Sequence, residues 1–337
     1  MIKTDTKNNK LLFHSITIRV LVLFTILAIV SAAGCANATD PAAPEPAGTA
    51  TPAISAQFYI NWGSYGNADG QFTEAYALAV DSDTGRVYVA DSSNYRIQAF
   101  DANGVFITKW GTSGSTDGNF MNPQGIAVNS ALGRVYVSDT GNYRIQVFDI
   151  NGTFIKKWGT TGSSNGQFMG PAGIYVDSAS NRVYVADAGN SRIQVFDAEG
   201  VFMKTWGSVG AGDGEFNNPT DVSVDSARGR VYVADPYNDN RVQMFTTDGV
   251  FIKKWQNSGV GNGQFNGPFA VHADSGTGRL FVADAGNERI QVFDAGGAYL
   301  TQWDSGSPFD IVINDSNDRA YAMDLPRYRV QVYRIYN

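Results

Sequence analysis

The sequence predicts an all-β fold made of six repeated units, and two periodic features carry this prediction. The tryptophans of the chain recur every 48 or 49 residues, at Trp62, Trp110, Trp158, Trp206, Trp255 and Trp303. A short segment of the type RVYVAD recurs with them, opening at Arg86, Arg134, Arg182, Arg230, Arg279 and Arg319. A fixed period of this length indicates a repeat architecture, so each unit has to be read as one copy of the same structure.

Each unit contains four segments with the pattern of β-strands. In residues 125–159 they are GIAVNS, GRVYVSD, YRIQVFD and GTFIKKWG, which alternate, are rich in β-branched and aromatic residues, and end in turn-forming residues. Four strands in one period are typical of a propeller blade, and the helical periodicity of a helical solenoid is absent. The prediction is therefore a six-bladed β-propeller of four-stranded antiparallel blades.

The two ends of the repeat region predict how the ring closes. The last unit supplies only three strands, at Asp310–Asp315, Arg319–Asp324 and Arg327–Arg334. An isolated strand-like segment, Gln57–Gly63, precedes the first complete unit and matches a fourth strand. Pairing that segment with the last blade would complete it and leave no open blade edge.

The first 34 residues have the order of a secretory signal. A basic start with Lys3, Lys7 and Lys10 is followed by the uncharged run Val20–Val30 and by small residues. The apolar run is shorter than the roughly 20 residues that cross a bilayer, although an uncleaved anchor is the alternative. We therefore expect export from the cytoplasm.

The residues that follow indicate a tethered protein. Ala32-Ala33-Gly34-Cys35 resembles the lipobox of bacterial lipoproteins, with Ala32 where that family usually has leucine. The resemblance implies removal of residues 1–34 and lipidation of Cys35, in the outer membrane or on the outer face of the plasma membrane; ordinary secretion is the alternative. Residues 35–56 are rich in Ala, Pro and Thr and are predicted to be a tether, and residues 57–337 to be the propeller.

The repeats themselves resemble a known family. The segment Gly162–Phe202 follows the pattern GxxxxGQFxxPxGIAVDxxxxRVYVADxxNxRIQVFDxxGxF, which is similar to the NHL-repeat propellers, and related repeats cover residues 57–337. The last blade departs most, because the GQF loop is missing and Leu325-Pro326-Arg327 replaces the usual turn. Intracellular relatives bind nucleic acid, which this chain is not expected to do.

The charge and the cysteine content of the chain limit the ligands and the covalent cross-links that can be expected. The formal net charge is −7, and removal of residues 1–34 would leave 21 basic and 31 acidic residues, or 21 − 31 = −10. Such a surface repels phosphate backbones, so we expect no nucleic-acid ligand. The only cysteine excludes an intramolecular disulfide, and we expect a monomer that folds by its core alone.

Residues present in every unit are interpreted as structural. The acids that end the RVYVAD segments each precede a turn and an arginine, so they are predicted to bind turn N–H groups and that arginine, although a ring of metal ligands is the alternative; they are Asp91, Asp139, Asp187, Asp235, Asp284 and Asp324. The lysines after the signal all lie on predicted fourth strands, where charge is expected to protect an exposed edge, and a basic binding stripe is the alternative.

Function is expected to lie in residues that do not repeat. Strand parity places the turn between the second and third strands on the same face as the link to the next blade. The channel mouth on that face is predicted to contain aromatic, polar and acidic residues: Tyr76, Gln124, Thr220, Asp221, Phe269, Phe309, Asp310, Tyr95, Tyr143, Tyr237 and Tyr328. This composition suits a protein, peptide or glycan ligand, and packing between blades is the alternative use of the aromatics.

An enzymatic function is the less favoured interpretation. The resemblance to NHL propellers implies a comparison with the zinc-dependent amidating lyases, but His14 and His272 are the only histidines and His14 lies in the signal. Zinc needs three or four protein ligands, so His272 is interpreted as a core residue. A calcium-assisted hydrolase or lyase using Asp221 and Asp310, with Glu74 and Gln124 nearby, is the alternative to a binding scaffold. No cofactor is expected otherwise.

Overall fold

The computed structural model describes residues 54–237, 240–314 and 316–336, which form six four-stranded antiparallel sheets. The first sheet consists of β2 (Ala75–Val80), β3 (Val87–Asp91), β4 (Arg96–Phe100) and β5 (Phe106–Trp110). The second consists of β6 (Pro123–Asn129), β7 (Arg134–Asp139), β8 (Arg144–Asp149) and β9 (Phe154–Trp158). The third consists of β10 (Pro171–Asp177), β11 (Arg182–Asp187), β12 (Arg192–Asp197) and β13 (Phe202–Trp206).

The remaining sheets follow the same order. The fourth consists of β14 (Asp221–Asp225), β15 (Arg230–Asp235), β16 (Arg241–Thr246) and β17 (Phe251–Gln256). The fifth consists of β18 (Pro268–Asp274), β19 (Arg279–Asp284), β20 (Arg289–Phe293) and β21 (Tyr299–Asp304). The sixth consists of β22 (Pro308–Asn314), β23 (Arg319–Asp324), β24 (Arg329–Tyr336) and β1 (Ser55–Trp62).

The sheets form a closed ring around an axis. The first strand of each sheet lies innermost and packs against the first strand of the next, and β22 of the sixth sheet packs against β2 of the first. The strand order is sequential in five sheets, whereas the sixth has the order β1-β24-β23-β22. The predicted six-bladed β-propeller, closed by an N-terminal strand, is therefore confirmed.

The closing strand β1 has the same irregularity as the other outer strands. Its pairing with β24 shifts register between Phe58 and Ile60, so that Tyr59 is the extra residue of a β-bulge. A bulge also interrupts the pairing of β13 with β12, where Phe202 and Lys204 are paired and Met203 is extra. Because β1 repeats the geometry of a fourth strand, the sixth blade is complete although its strands come from the two ends of the repeat region.

Three predicted boundaries move in the structure. β1 begins at Ser55, because its pairing with β24 extends to Tyr336. Ile54, which precedes the strand, is buried. The third strand of the sixth blade begins at Arg329 rather than Arg327, since Leu325–Arg327 form a 3-10 turn. β22 begins at Pro308, and the predicted end of this strand at Asp315 lies outside the described residues.

The hydrophobic core consists of six clusters, each shared by two neighbouring blades. One cluster combines Tyr136 and Val147 of the second blade with Phe168 and Val185 of the third. At the outer edge, the ring of Trp110 on β5 packs 5.7 Å from that of Phe148 in the next blade. Gly152, at φ 91°, makes room for this tryptophan, because a Cβ there would lie 2.5 Å from the indole. The repeated tryptophans thus join consecutive blades.

Candidate functional site

Each blade contains a buried network of hydrogen-bonded side chains around the repeated aspartate, which we call the polar knot. It lies on the face of the propeller that carries the channel mouth. In the second blade, Asp139 Oδ1 accepts a hydrogen bond from Met121 N at 2.7 Å, and Oδ2 accepts bonds from Asn142, Arg144 and Gln146 at 2.7–3.0 Å. The guanidinium of Arg144 also donates to three carbonyls of the preceding link, those of Ser115, Thr116 and Asn119. This confirms the structural interpretation of the repeated acid.

The turn between the second and third strands directly follows the repeated aspartate and carries several of the predicted mouth residues. Short 3-10 turns end in residues with left-handed backbone conformation, among them Tyr95 at φ 55°, Tyr143 at φ 54° and Tyr328 at φ 53°. The hydroxyl of Ser92 in the first turn donates to the carbonyl of Pro123, where the inner strand of the next blade begins. Turns and inner-strand ends therefore lie on one face, as strand parity requires.

Four predicted residues form a continuous run of rings, which we call the aromatic arc: Tyr237, Phe269, Phe309 and Tyr76. The ring centroids of Phe269 and Phe309 are 4.7 Å apart and their planes are 19° from parallel. Tyr237 packs edge-on against Phe269 at 6.0 Å, and Tyr76 packs edge-on against Phe309 at 6.2 Å. The arc draws its rings from blades four, five, six and one, so the ring closure creates it.

The arc is only partly covered by the protein. Tyr237 is 57% exposed, and Tyr76, Phe269 and Phe309 are half-buried. Burial raises the pKa of the Tyr76 hydroxyl, and the charge of Glu74 and the nearby Tyr237 raise it further. These aromatics therefore fill the space between blades and also expose part of their surface to solvent.

Asp221 and Asp310, which we call the acid pair, directly follow Thr220 and Phe309 in the sequence. Asp310 Oδ2 accepts the backbone N–H of Leu78 in the first blade at 2.6 Å, and Asp221 Oδ2 accepts that of Val271 in the fifth blade at 3.0 Å. Each carboxylate thus bridges from its own inner strand to the next blade. Gly173 of the third blade permits this position of Asp221, because a Cβ there would overlap its Oδ1.

The two carboxyl groups are held in an environment that favours their neutral forms. Burial raises the pKa of Asp310 to about 7, against the opposing effect of the N–H donors of Leu78 and Ile311. Burial and then the charge of Asp310 raise the pKa of Asp221 well above its usual value. Two such coupled groups near neutral pH retain a proton that isolated carboxylates would have lost.

Other predicted mouth residues lie outside the arc. Thr220 Oγ1 donates to the carbonyl of Phe269 at 2.7 Å and so supports the arc from the fourth blade. Gln124 is half-buried on β6 of the second blade, and Tyr95 and Tyr143 are exposed on the first two blades. Tyr328 contacts Tyr65 edge-on with centroids 4.9 Å apart, forming a separate aromatic pair.

Sequence reasoning missed several exposed apolar residues of this face. Tyr65 is 66% exposed, and Val209 and Val260 in the corresponding links of later blades are 76% and 79% exposed. Tyr65 and Val209 form parallel bridges with Phe72 and Phe216, at the position that Ser113, Thr161 and Ser258 occupy in the other links. Departure from the small polar residue at this repeat position was the available signal.

The possible metal ligands do not converge. Across residues 54–237, 240–314 and 316–336, no group of three or more His, Cys, Asp and Glu side chains is close enough to hold a metal ion. Glu74 instead accepts a hydrogen bond from the hydroxyl of Ser93 at 2.5 Å. Burial lowers the pKa of His272 to about 4, against the opposing charge of Asp274, so its imidazole is neutral at pH 7. In the same residues, no helix has the length and apolar character needed to cross a bilayer.

Six four-stranded sheets around a channel, with aromatic and acidic residues at one mouth, define a six-bladed β-propeller. The chain carries NHL repeats: the NHL repeat profile matches residues 75–100, 120–148, 168–196 and 216–245, which lie in blades one to four. Blades five and six keep the same knot, since Arg289 binds Asp284 and Arg329 binds Asp324 at 2.8 and 2.9 Å. No curated protein matches the chain in sequence.

Solved structures share the fold at low sequence identity. A gluconolactonase from Xanthomonas campestris is 14% identical, with a TM-score of 0.61 over 80% of this chain and 88% of that chain. A chain of a nidogen/laminin complex is 18% identical, with a TM-score of 0.53 over 68% and 80%. Kuenenia stuttgartiensis hydrazine synthase is 12% identical, with a TM-score of 0.54 over 80% and 97%. At these identities the similarity shows the fold alone.

Proposed function

We propose that this protein is an extracytoplasmic, membrane-tethered NHL-repeat propeller that binds a protein, peptide or glycan at the channel mouth. The aromatic arc is the observation that carries the proposal. Rigid aromatic side chains supply large contact areas at low entropic cost, and they dominate the energy of many binding surfaces. The polar knots hold the arc on a stiff scaffold, so little order has to be gained when a ligand binds.

The arc predicts the effect of removing its central pair. Phe269→Ala combined with Phe309→Ala should abolish retention of ligands that the wild-type protein selects from peptide and glycan arrays, with affinity falling roughly 100-fold. The physical reason is loss of the stacked rings that join the two ends of the arc. The same arrays should be probed in calcium and in chelator, and thermal melting should verify that the variant is folded.

A matched control changes exposed apolar residues elsewhere. Val105 and Val250 are 62% and 63% exposed and precede outer strands on the opposite face, so Val105→Ala with Val250→Ala should leave retention unchanged. Retention of the selected ligand by the Phe269/Phe309 variant would contradict the proposal.

A calcium-assisted hydrolase or lyase in the channel is the second candidate. The acid pair favours it, because two coupled carboxyl groups with raised pKa values are suited to proton transfer. One protein with this fold is a gluconolactonase, but its 14% identity does not extend that activity to this chain. Calcium usually takes six to eight oxygen ligands. Ligand binding that requires calcium, together with turnover of the bound ligand, would favour this candidate.

The tether is proposed from Cys35, which lies outside the described residues. We expect the mature chain to begin at Cys35 and to carry acyl groups, because the preceding residues resemble a lipobox. Mass spectrometry of the mature N-terminus should find this modification, and Cys35→Ala should move the protein from the membrane to the soluble fraction. Cys35→Ser is the conservative companion with the same expected result. An unmodified wild-type N-terminus would refute the anchor.

A further inference from the structure

The aromatic arc and the acid pair together have the chemistry of a cation-binding site. The electron-rich faces of aromatic rings attract ammonium and guanidinium groups, and desolvation strengthens this attraction. Phe309 and Asp310 are consecutive on β22, and Thr220, which bonds the carbonyl of Phe269, directly precedes Asp221. Rings and carboxylates therefore occur at adjoining positions of the same inner strands.

Among the described residues, no lysine or arginine side chain packs on the rings of the arc. In the part of the chain that the structure describes, the cation–π contacts are those of Arg319 and Arg334 on Tyr59 and of Lys253 on Trp255, and both of these rings lie on outer strands. Exposed lysines of the rim are paired locally, as in Lys109 with Asp69 at 2.5 Å. The rings of the arc therefore remain available to a cation brought by a ligand.

The ionisable groups beside the arc are acidic, and a cation bound there would favour the ionised forms of Asp221 and Asp310. Glu74 acts on the Tyr76 hydroxyl through its charge, and Asp310 acts in the same way on Asp221. Both members of the acid pair already hold backbone N–H groups of the next blade, which fixes their orientation at the channel. With a net charge of −7, the chain as a whole also attracts cationic partners.

The extent of the surface favours a peptide over a small amine. The arc crosses four blades, and exposed Val209 and Val260 on links of the same face add apolar contact area beyond the rings. Resting on the proposed function, we propose that the ligand is a peptide segment whose lysine or arginine side chain lies on the aromatic arc and is oriented toward the carboxylates of Asp221 and Asp310.

Peptides of defined charge test this inference with the full-length protein. Acetylated and amidated tetralysine and tetra-arginine should bind in titration calorimetry, whereas tetra-acetyl-lysine and tetracitrulline of the same length should bind at least about tenfold more weakly. Raising the salt concentration tenfold should weaken the charged peptides and leave the neutral ones unchanged. Butylammonium, which carries one cation without a peptide, should bind more weakly than tetralysine.

Variants separate the contribution of the site from that of overall charge. Asp221→Asn with Asp310→Asn should weaken tetralysine binding roughly tenfold, while the amide oxygens can still accept the N–H bonds of Val271 and Leu78. Phe269→Leu with Phe309→Leu should have a similar effect while it preserves apolar volume. The control Asp101→Asn with Asp294→Asn replaces two carboxylates in turns of the opposite face and should change affinity little.

The outcomes distinguish this inference from the broader proposal. Equal binding of charged and neutral peptides, equal loss in the control variant, or no binding of any probe would overturn the cationic ligand. Equal affinity for butylammonium would overturn the peptide as ligand. Selection of a neutral glycan that depends on Phe269 and Phe309 but not on the acid pair would retain the binding scaffold and reject the cation.

Discussion

Deletion of residues 55–62 is expected to unfold the propeller under conditions in which the wild-type protein is stable. These residues form β1, which pairs with β24 along its length and completes the sixth blade. Trp62 packs against Phe100 of the first blade with ring centroids 4.5 Å apart, so the deletion removes one of the contacts that join blade six to blade one. It also leaves the full edge of β24 without hydrogen-bond partners.

The expected loss is comparable with the whole stability of an ordinary domain. Truncation of one large buried side chain costs about 2–5 kcal/mol, and the deletion removes Trp62 together with the backbone pairing of seven residues. A loss above about 5 kcal/mol would lower the melting temperature by about 10 °C or more, if the variant folds at all. Thermal melting and urea unfolding monitored by tryptophan fluorescence should report it.

A control deletion and an added peptide test whether the effect is specific to β1. Removal of eight residues from the predicted tether, 40–47, should leave the melting temperature unchanged. A synthetic peptide of residues 54–62 added to the deletion variant should restore stability in proportion to its concentration, because it can add itself to the open edge. A deletion variant with the melting temperature of the wild type would disprove closure by β1.

Asp139→Ala is expected to be the most destabilising single substitution among those considered. The carboxylate is fully buried and holds Met121 N, Asn142, Arg144 and Gln146. Its removal leaves the Arg144 guanidinium, whose side chain is only 7% exposed, without its buried counter-ion and with only the exposed Asp117 at 4.0 Å. Breaking a buried pair in this way costs about 3–5 kcal/mol, which urea unfolding should measure.

The matched control is an ion pair at the surface. Asp69 and Lys109 are 48% and 45% exposed and are 2.5 Å apart, so Asp69→Ala should cost less than about 1 kcal/mol. The double variant Asp139→Leu with Arg144→Met should recover part of the lost stability because it leaves no uncompensated charge. Equal losses for Asp139→Ala and Asp69→Ala would show that the knot does not stabilise the blade.

The repeated part of this protein could be predicted because every blade has the same strand pattern and the same spacing of residues. The spacing of Trp110 and Trp158 gives the blade length, and the alternation of RVYVSD and RIQVFD gives the strands. The role of Asp139 could be predicted since its partners lie within a few residues or in the preceding link. Its hydrogen bonds to Asn142, Arg144 and Gln146 are set by local spacing.

The candidate site could be predicted only as a set of residues on one face. The sequence places Phe269 and Phe309 at equivalent positions of neighbouring blades, but it does not show that their rings stack. Nor does it distinguish Tyr328, which contacts Tyr65, from Tyr237, which belongs to the arc. The pairing of Ser55 with Tyr336 and the left-handed turn before Arg329 each shift the start of a strand by two residues, and the alternation of the sequence does not show either shift.

The amino-acid sequence by itself determined the number of blades, the strands within each blade and the origin of the closing strand, because these depend on period and alternation. The tertiary structure alone decided which side chains meet across the ring. Tyr76 and Tyr237 belong to one arc, and Asp310 raises the pKa of Asp221, although more than 80 residues separate the members of each pair along the chain. Such contacts depend on the curvature that closes six blades around an axis, and no local sequence pattern encodes that distance.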